Sequence, residues 1–130
     1  CHTPMKSYNP LKVASTLLGQ DVLPSDRCCG ESGSLGTARP DIAEQLRYRK
    51  RQELHQDLVQ LTGENVAMPG KVKLLTSCPA CQQGLSRYTD DTGLETDFIV
   101  VELCKNNLGE NCQREFVASA NAGGIERVML

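Results

Sequence analysis

Seven cysteines are spread over this 130-residue chain, and their spacing is its strongest chemical signal. An odd number cannot pair completely in internal disulfides, and in a reducing compartment such enrichment indicates metal binding or redox chemistry. The cysteines are Cys1, the adjacent Cys28 and Cys29 followed by Gly30, the Cys78-Pro79-Ala80-Cys81 motif, Cys104 and Cys112. We predict that the first five act together.

Each of the two central motifs has a physical reason to hold a metal centre. At a helix start, Cys78 and Cys81 can reach one metal, and backbone N–H groups and the helix dipole favour their thiolates. Adjacent cysteines in a strand point to opposite faces, but a turn relaxed by Gly30 can aim both sulfurs at one centre. Five thiolates exceed the needs of a zinc site or a cubane iron–sulfur cluster, and a cluster of unusual shape, or one that opens for chemistry, would explain the extra one.

The surrounding pattern predicts strands that alternate with helices. This alternation predicts an α/β fold: a small parallel sheet flanked by helices, with the cysteine loops at the carboxyl ends of the strands. We expect Cys1 to sit just past a strand that precedes it. The predicted helices cover 10–18, 40–62, a segment opening at Cys78, 102–108 and 111–120, and the predicted strands cover 71–77, 97–101 and 125–130.

Composition excludes several classes of protein. A net charge of −2 and only five aromatic residues give no reason to expect nucleic acid as a partner. No apolar run approaches the roughly 20 residues of a transmembrane helix. Residues 1–130 are predicted to form one cysteine-rich domain, and an opening cysteine indicates a C-terminal fragment of a longer chain. The expected location is the cytoplasm, with association at the inner membrane face left open.

Beyond single motifs, long stretches of the chain resemble one known family. The frame Cys1…Cys28-Cys29-Gly30…Cys78-Pro79-Ala80-Cys81 resembles the cysteine-rich CCG domain of heterodisulfide reductases and of glycolate oxidase iron–sulfur subunits. The stretches CHTPMK, DRCCGESGSLGTARPDIAEQLRYRK, LLTSCPACQQGLSRY and GGIERVML are similar to the C-terminal part of large bacterial FAD-linked oxidases of the D-lactate/2-hydroxyglutarate dehydrogenase-like type.

The resemblance implies a redox domain that performs no catalysis itself. Its ligands to a 4Fe–4S cluster, non-cubane or ordinary, would be Cys1, Cys28, Cys29, Cys78 and Cys81. The parent chain would carry FAD in a flavin domain, together with a ferredoxin-like segment, and electrons would pass from FAD to an unidentified acceptor. The fragment would thus serve a flavin-dependent dehydrogenase of lactate, glycolate or 2-hydroxyglutarate-like acids.

Two other functions remain open from the residues alone. Four of the cysteines could clamp the loops around zinc in a structural or protein-interaction module. Alternatively, CPAC between a strand and a helix is typical of thiol–disulfide oxidoreductases, which need a thiolate of lowered pKa at Cys78. Outside the motif, Cys104 is expected to be a small buried hydrophobe and Cys112 an exposed thiol. The basic run 47–51 is expected to be a solvated helix face.

Overall fold

The computed structural model of the protein describes residues 9–123 and shows the predicted α/β class. Within that range, seven helices flank a two-stranded parallel sheet. The elements are α1 (Pro10–Leu18), α2 (Gly33–Ala38), α3 (Pro40–Thr62), β1 (Lys73–Thr76), α4 (Pro79–Ser86), α5 (Thr89–Thr92), β2 (Glu95–Phe98), α6 (Ile99–Leu108) and α7 (Cys112–Asn121). None of the described helices is long and apolar enough to cross a membrane.

Helix α1 begins and ends where the sequence signals predict. The Asn9 side chain accepts hydrogen bonds from the backbone N–H groups of Leu11 and Lys12, at 3.0 and 3.3 Å. These bonds satisfy two of the donors that a helix start leaves free. At the other end Gly19 adopts a φ of +64°, a left-handed conformation that suits glycine. The helix packs on α6.

The spacing of Ile42, Leu46, Leu54, Leu58 and Leu61 predicts one apolar face on the long helix α3, and the structure buries only part of it. Leu54 and Leu58 are buried as expected, whereas Ile42 and Leu61 are exposed. Lys50, predicted to interrupt the face as a solvated charge, is only 2% exposed. The prediction of a solvated face therefore holds only in part: Tyr48, Arg49 and Arg51 are exposed, whereas Arg47 is half-buried and Lys50 is buried.

The sheet is formed by two strands joined through α4 and α5. Strand β1 pairs with β2 in parallel, with Lys73 opposite Glu95 and Thr76 opposite Phe98. Helix α4 packs on both strands. Cys78 lies two residues beyond β1 and caps α4, so the CPAC motif stands at the carboxyl end of the strand as predicted.

The prediction of a strand over 97–101 is wrong for most of that run. Strand β2 ends at Phe98, and Ile99 to Val101 form the first turn of α6. The partner strand β1 ends opposite Phe98, so a longer β2 would have no ladder to join. The predicted strand over 125–130 lies outside the described residues.

The core lies between α3, α4 and the segment that carries the two adjacent cysteines. Tyr88 and Leu94, which flank α5, complete it from the sheet side. Its buried members are Cys29, Leu54, Leu58, Ala67, Leu85, Tyr88 and Leu94. A predicted site residue, Cys29, is therefore itself part of the core.

Candidate cysteine site

The fold brings the two cysteine motifs together. The Cys81 thiol, in the first turn of α4, neighbours the thiols of both Cys29 and Cys78. Cys28 is half-buried and packs, like Cys81, against the core cluster that contains Cys29. All four are free thiols. Cys1, the fifth predicted ligand, lies outside the described residues.

The two cysteines of CPAC differ in their electrostatic environment. The backbone N–H of Cys81, helped by the Cys81 thiol and the N–H of Ala80, lowers the pKa of Cys78. This effect is the expected one for a sulfur at a helix start. Burial, followed by the neighbouring thiols of Cys29 and Cys78, raises the pKa of Cys81 to about 12. Of the two CPAC thiols, Cys78 is therefore the one that ionises at lower pH.

The segment 26–32, which we call the CCG segment, is clamped between α3 and the region of α4. Gly30 has a φ of +79°, and a Cβ there would lie 2.7 Å from the Tyr88 hydroxyl oxygen. From α3, the Arg47 Nε donates a hydrogen bond to the Gly30 carbonyl oxygen at 3.1 Å. The Tyr88 hydroxyl donates to the Cys29 carbonyl oxygen at 3.4 Å. Gly30 is needed both for its backbone conformation and for the space that it leaves.

A second glycine lets α4 approach the same segment. A Cβ on Gly84 would lie 3.0 Å from Glu31 Cβ, 3.1 Å from the Glu31 nitrogen and 3.3 Å from the Cys29 carbonyl oxygen. A glycine inside a helix costs stability relative to alanine, so its presence here has a packing reason. The close approach holds Cys29 against the helix that carries Cys81.

The chain leading into the CCG segment is fixed by a buried ion pair. Lys50 Nζ lies 2.7 Å from Glu53 Oε2 and donates a hydrogen bond to Ser25 Oγ at 2.5 Å. The other Glu53 oxygen accepts from the backbone N–H groups of Asp26 and Arg27, at 3.0 and 3.1 Å. Burial acts to raise the pKa of Glu53, but the hydrogen bonds from Lys50 and the backbone outweigh it and hold the pKa below its usual value.

Guanidinium groups surround the buried phenol beside Cys29. Arg47, Arg51 and Arg87 all act to lower the pKa of Tyr88, although burial is the larger effect and raises it. Arg87 pairs with Glu31 at 2.7 Å, and Arg51 pairs with Asp91 at 3.0 Å. Two of the three guanidinium groups are thus neutralised by carboxylates, and Arg47 donates to the Gly30 carbonyl oxygen of the CCG segment.

A cavity of about 850 Å³ borders the thiols. Its walls include Cys28, Cys29 and Cys81, together with segment 20–27, strand β1 and parts of α1 and α6. The three cysteines therefore border a space large enough for a group bigger than a single ion.

The donor set fits an iron–sulfur cluster in its chemistry. It consists of thiols only, beside cationic side chains, and cluster irons are held by cysteine thiolates. Within residues 9–123 no three Cys, His, Asp or Glu side chains are grouped so as to hold a metal ion. Cys1 and His2 lie outside that range. Four of the five predicted ligands are described, and among these the Cys81 thiol neighbours that of Cys29 on one motif and that of Cys78 on its own.

Sequence patterns do not identify several residues that shape the site. Gly84 carries a usable signal, because a glycine within a predicted helix marks a close approach. Tyr88 and Arg47 carry none, since their roles depend on contacts between distant segments. Lys50 gives a misleading signal, because a lysine in a basic run is typical of a solvated face.

The two cysteines outside the motif differ from the expectations for them. Cys104 on α6 and Cys112 at the start of α7 form a disulfide, with their Cα atoms 6.2 Å apart. Cys112 is buried, contrary to the prediction of an exposed thiol, and Cys104 is half-buried. The bond joins α6 to α7 and leaves the four free cysteines as a separate set.

Comparison with known proteins yields one match, in the C-terminal third of the chain. Residues 86–130 match the model of a domain of unknown function, DUF3400. The matched region begins after CPAC and includes β2, α6 and α7. No curated protein and no solved structure matches the chain.

Proposed function

We propose that this chain is the iron–sulfur electron-transfer domain of a flavin-dependent 2-hydroxy-acid dehydrogenase, and that it relays electrons from FAD on the parent chain to an acceptor. One observation carries the proposal. Cys29 and Cys81, from motifs far apart in sequence, are brought into contact beside a cavity that Cys28 also lines. The resemblance to CCG domains supplies the dehydrogenase and the flavin partner.

In this proposal the chain's own residues hold the centre and set its electrostatics. A bound iron–sulfur cluster supplies reversible one-electron storage. Cys28, Cys29, Cys78 and Cys81 would bind it, with Cys1 as the fifth ligand. The helix start at Cys78 and the guanidinium of Arg47 would favour the anionic thiolate form. The tight contact of Gly84 with the CCG segment would keep the ligands from moving apart.

Iron analysis tests the proposal directly. The chain is reconstituted with iron and sulfide without oxygen, and iron, acid-labile sulfide and the EPR spectrum of the reduced protein are measured. We expect about four irons and four sulfides per chain, as a 4Fe–4S cluster requires. In the Cys81→Ala variant we expect the iron content to fall by more than half, because that thiol is central to the group.

A matched control uses the chain's other cysteine pair. The double variant Cys104→Ser/Cys112→Ser removes two cysteines, one more than Cys81→Ala, yet these lie outside the free-thiol group. We expect it to keep its iron, and circular dichroism confirms that both variants fold. Equal iron in the Cys81→Ala variant and the wild type would overturn the proposal. One zinc per chain without iron would instead favour the structural module.

A second function is favoured by one specific observation, the contrast between the thiols of CPAC. The lowered pKa of Cys78 and the raised pKa of Cys81 match an attacking and a resolving cysteine. The Cys78 thiolate would attack a substrate disulfide, forming a mixed disulfide and releasing one thiolate. Cys81 would then lose its proton and attack the Cys78 sulfur, which releases the second thiolate and leaves the chain oxidised by two electrons.

Insulin reduction with dithiothreitol separates this function from the first. A thiol–disulfide oxidoreductase would accelerate the reduction, lose that activity on Cys78→Ser, and accumulate a mixed disulfide on Cys81→Ser. The electron-transfer proposal predicts no acceleration by the iron-loaded protein. Acceleration that persists in the Cys78→Ser variant would exclude the CPAC mechanism.

A further inference from the structure

The Cys29 and Cys81 thiols meet where the CCG segment packs on α4. The Cys81 thiol neighbours that of Cys29, which is buried in the core cluster, and Cys81 packs against the same cluster. Gly84 follows Cys81 by three residues on α4, and a Cβ there would lie 3.3 Å from the Cys29 carbonyl oxygen. Residues three apart share a helix face. The face of α4 that carries Cys81 is therefore the face that contacts Cys29.

Hydrogen bonds hold the backbone at this contact in place. The Cys29 carbonyl oxygen accepts a hydrogen bond from the buried Tyr88 hydroxyl at 3.4 Å. The next carbonyl oxygen, that of Gly30, accepts one from Arg47 Nε at 3.1 Å. Reacting groups that a fold holds next to each other meet far more often than the same groups free in solution. The two sulfurs are therefore positioned to react with each other.

Cys78, the other neighbour of the Cys81 thiol, lies in a different setting. It precedes α4 with an extended backbone, and in the described part of the chain Cys81 but not Cys78 packs against the core cluster. A bond between Cys78 and Cys81 would join positions three apart in one motif. A bond between Cys29 and Cys81 would join two motifs about 50 residues apart, and so would restrain the unfolded chain much more.

We propose that Cys29 and Cys81 form a reversible disulfide in the metal-free chain, and that this oxidation and metal binding exclude each other. Metals and cluster irons are held by thiolates, and a disulfide sulfur is no longer one. With this bond formed, Cys28 and Cys78 would be the free thiols left among the described residues. The exclusion of metal rests on the proposed function, whereas the bond itself does not.

The oxidant is a low-molecular-weight disulfide, and the 850 Å³ cavity that both cysteines border has room for one. One thiol of the pair loses its proton and attacks a sulfur of the small disulfide, which breaks that S–S bond and releases one thiolate. The second thiol loses its proton and attacks the protein sulfur of the mixed disulfide, which releases the other thiolate. The pair loses two electrons, and the small disulfide becomes two thiols that take up both protons.

Disulfide mapping tests the proposal on the full 130-residue chain. Reduced, metal-free protein is equilibrated with oxidised glutathione, free thiols are alkylated, and fragmentation mass spectrometry assigns each bond. We expect Cys29 joined to Cys81 in most molecules, with Cys78 alkylated. A bond between Cys78 and Cys81, which the thiol–disulfide oxidoreductase function would form, would overturn the proposal. Any other partner for Cys29 or Cys81, or no bond at either, would also overturn it.

Thermal unfolding of matched variants gives a second measure. The melting temperature is compared between oxidised and reduced protein in the wild type, Cys29→Ser and Cys78→Ser. The bond between Cys104 and Cys112 is common to all three proteins and cancels in this comparison. We expect the oxidised-minus-reduced difference to be about 10 °C smaller in Cys29→Ser than in the wild type, and unchanged in Cys78→Ser. Equal differences in all three proteins would overturn the proposal.

Metal exclusion is measured separately with Co²⁺, a thiolate-binding probe that needs no added sulfide. We expect the oxidised chain to bind Co²⁺ about tenfold more weakly than the reduced chain, and dithiothreitol to restore binding. Equal binding by the two forms would overturn the exclusion.

Because mapping uses metal-free protein, the disulfide and the cluster fail separately. A bond between Cys29 and Cys81 in a chain that takes up no iron on reconstitution would remove the proposed function and leave the disulfide. Full iron uptake by a chain whose oxidised form joins Cys78 to Cys81 would remove the inference and leave the proposed function.

Discussion

Replacing Gly84 with alanine tests whether α4 holds the CCG segment in place. In an isolated helix the change would be stabilising by about 1 kcal/mol, because glycine is a poor helix former. Here the new Cβ would lie 3.0 Å from Glu31 Cβ and 3.1 Å from the Glu31 nitrogen, closer than ordinary carbon contacts. Gly84 adopts a helical conformation, so alanine adds no backbone strain, and the sign of the effect depends on the cost of these contacts relative to the gain in helix propensity.

The neighbours of Gly84 have little freedom to move away. Glu31 pairs with Arg87 at 2.7 Å, and the adjacent Gly30 is held by Arg47 and by contact with Tyr88. Overpacking of this kind costs about 1–3 kcal/mol. After the gain in helix propensity is subtracted, we expect Gly84→Ala to lower the free energy of unfolding by about 1 kcal/mol.

Urea denaturation followed by circular dichroism measures that change. The matched control is Gln83→Ala, at an exposed position in the same helix, which we expect to change stability by less than about 0.5 kcal/mol. After reconstitution, we also expect the Gly84→Ala variant to bind less iron than the control, because Cys29 is displaced from Cys81. A Gly84→Ala variant that is more stable than the wild type and binds as much iron would refute this account.

Three further predictions concern the ion pair and the disulfide. Glu53→Gln should lower the free energy of unfolding by about 3 kcal/mol in urea denaturation, because it leaves the buried Lys50 charge without its partner; wild-type stability would contradict this. The pKa of the Glu53 carboxyl is lower in the folded than in the unfolded state. The stability that this group contributes is therefore complete above its unfolded pKa and is lost as pH falls through its folded pKa. Stability measured over acid pH should therefore decline less steeply in Glu53→Gln, although Asp57, whose pKa burial raises, opposes the trend in both proteins. Cys104→Ser/Cys112→Ser should lower the free energy of unfolding by about 2.5 kcal/mol under oxidising conditions, because it removes the disulfide that closes a short loop. In reductant we expect the variant and the wild type to be equally stable.

Local signals in the sequence were sufficient for much of the fold. Asn9 and Gly19 mark the two ends of α1 through their own hydrogen bonding and backbone conformation. Pro40 and Gly63 do the same for α3, and the short strand followed by CPAC correctly predicts β1 and α4. Such features are readable because each depends on residues within one turn of the position concerned.

The strand prediction for 97–101 fails because an apolar β-branched run does not specify its own secondary structure. Whether Ile99 to Val101 extend a strand or begin a helix depends on the length of the partner strand, and β1 ends opposite Phe98. The partner lies in a different part of the chain, so the run itself contains no signal for the boundary.

The sequence by itself predicts which cysteines form the candidate site, because the CCG and CPAC motifs place four thiols in two short segments. Only the tertiary structure decided how they meet: Cys29 reaches Cys81 because Gly84 admits the CCG segment against α4. Tertiary contacts also decided that Lys50 is buried and that Cys112 pairs with Cys104. A lysine or a thiol has the same local sequence signal whether it is buried or exposed, and its partner is chosen by the packing of distant elements.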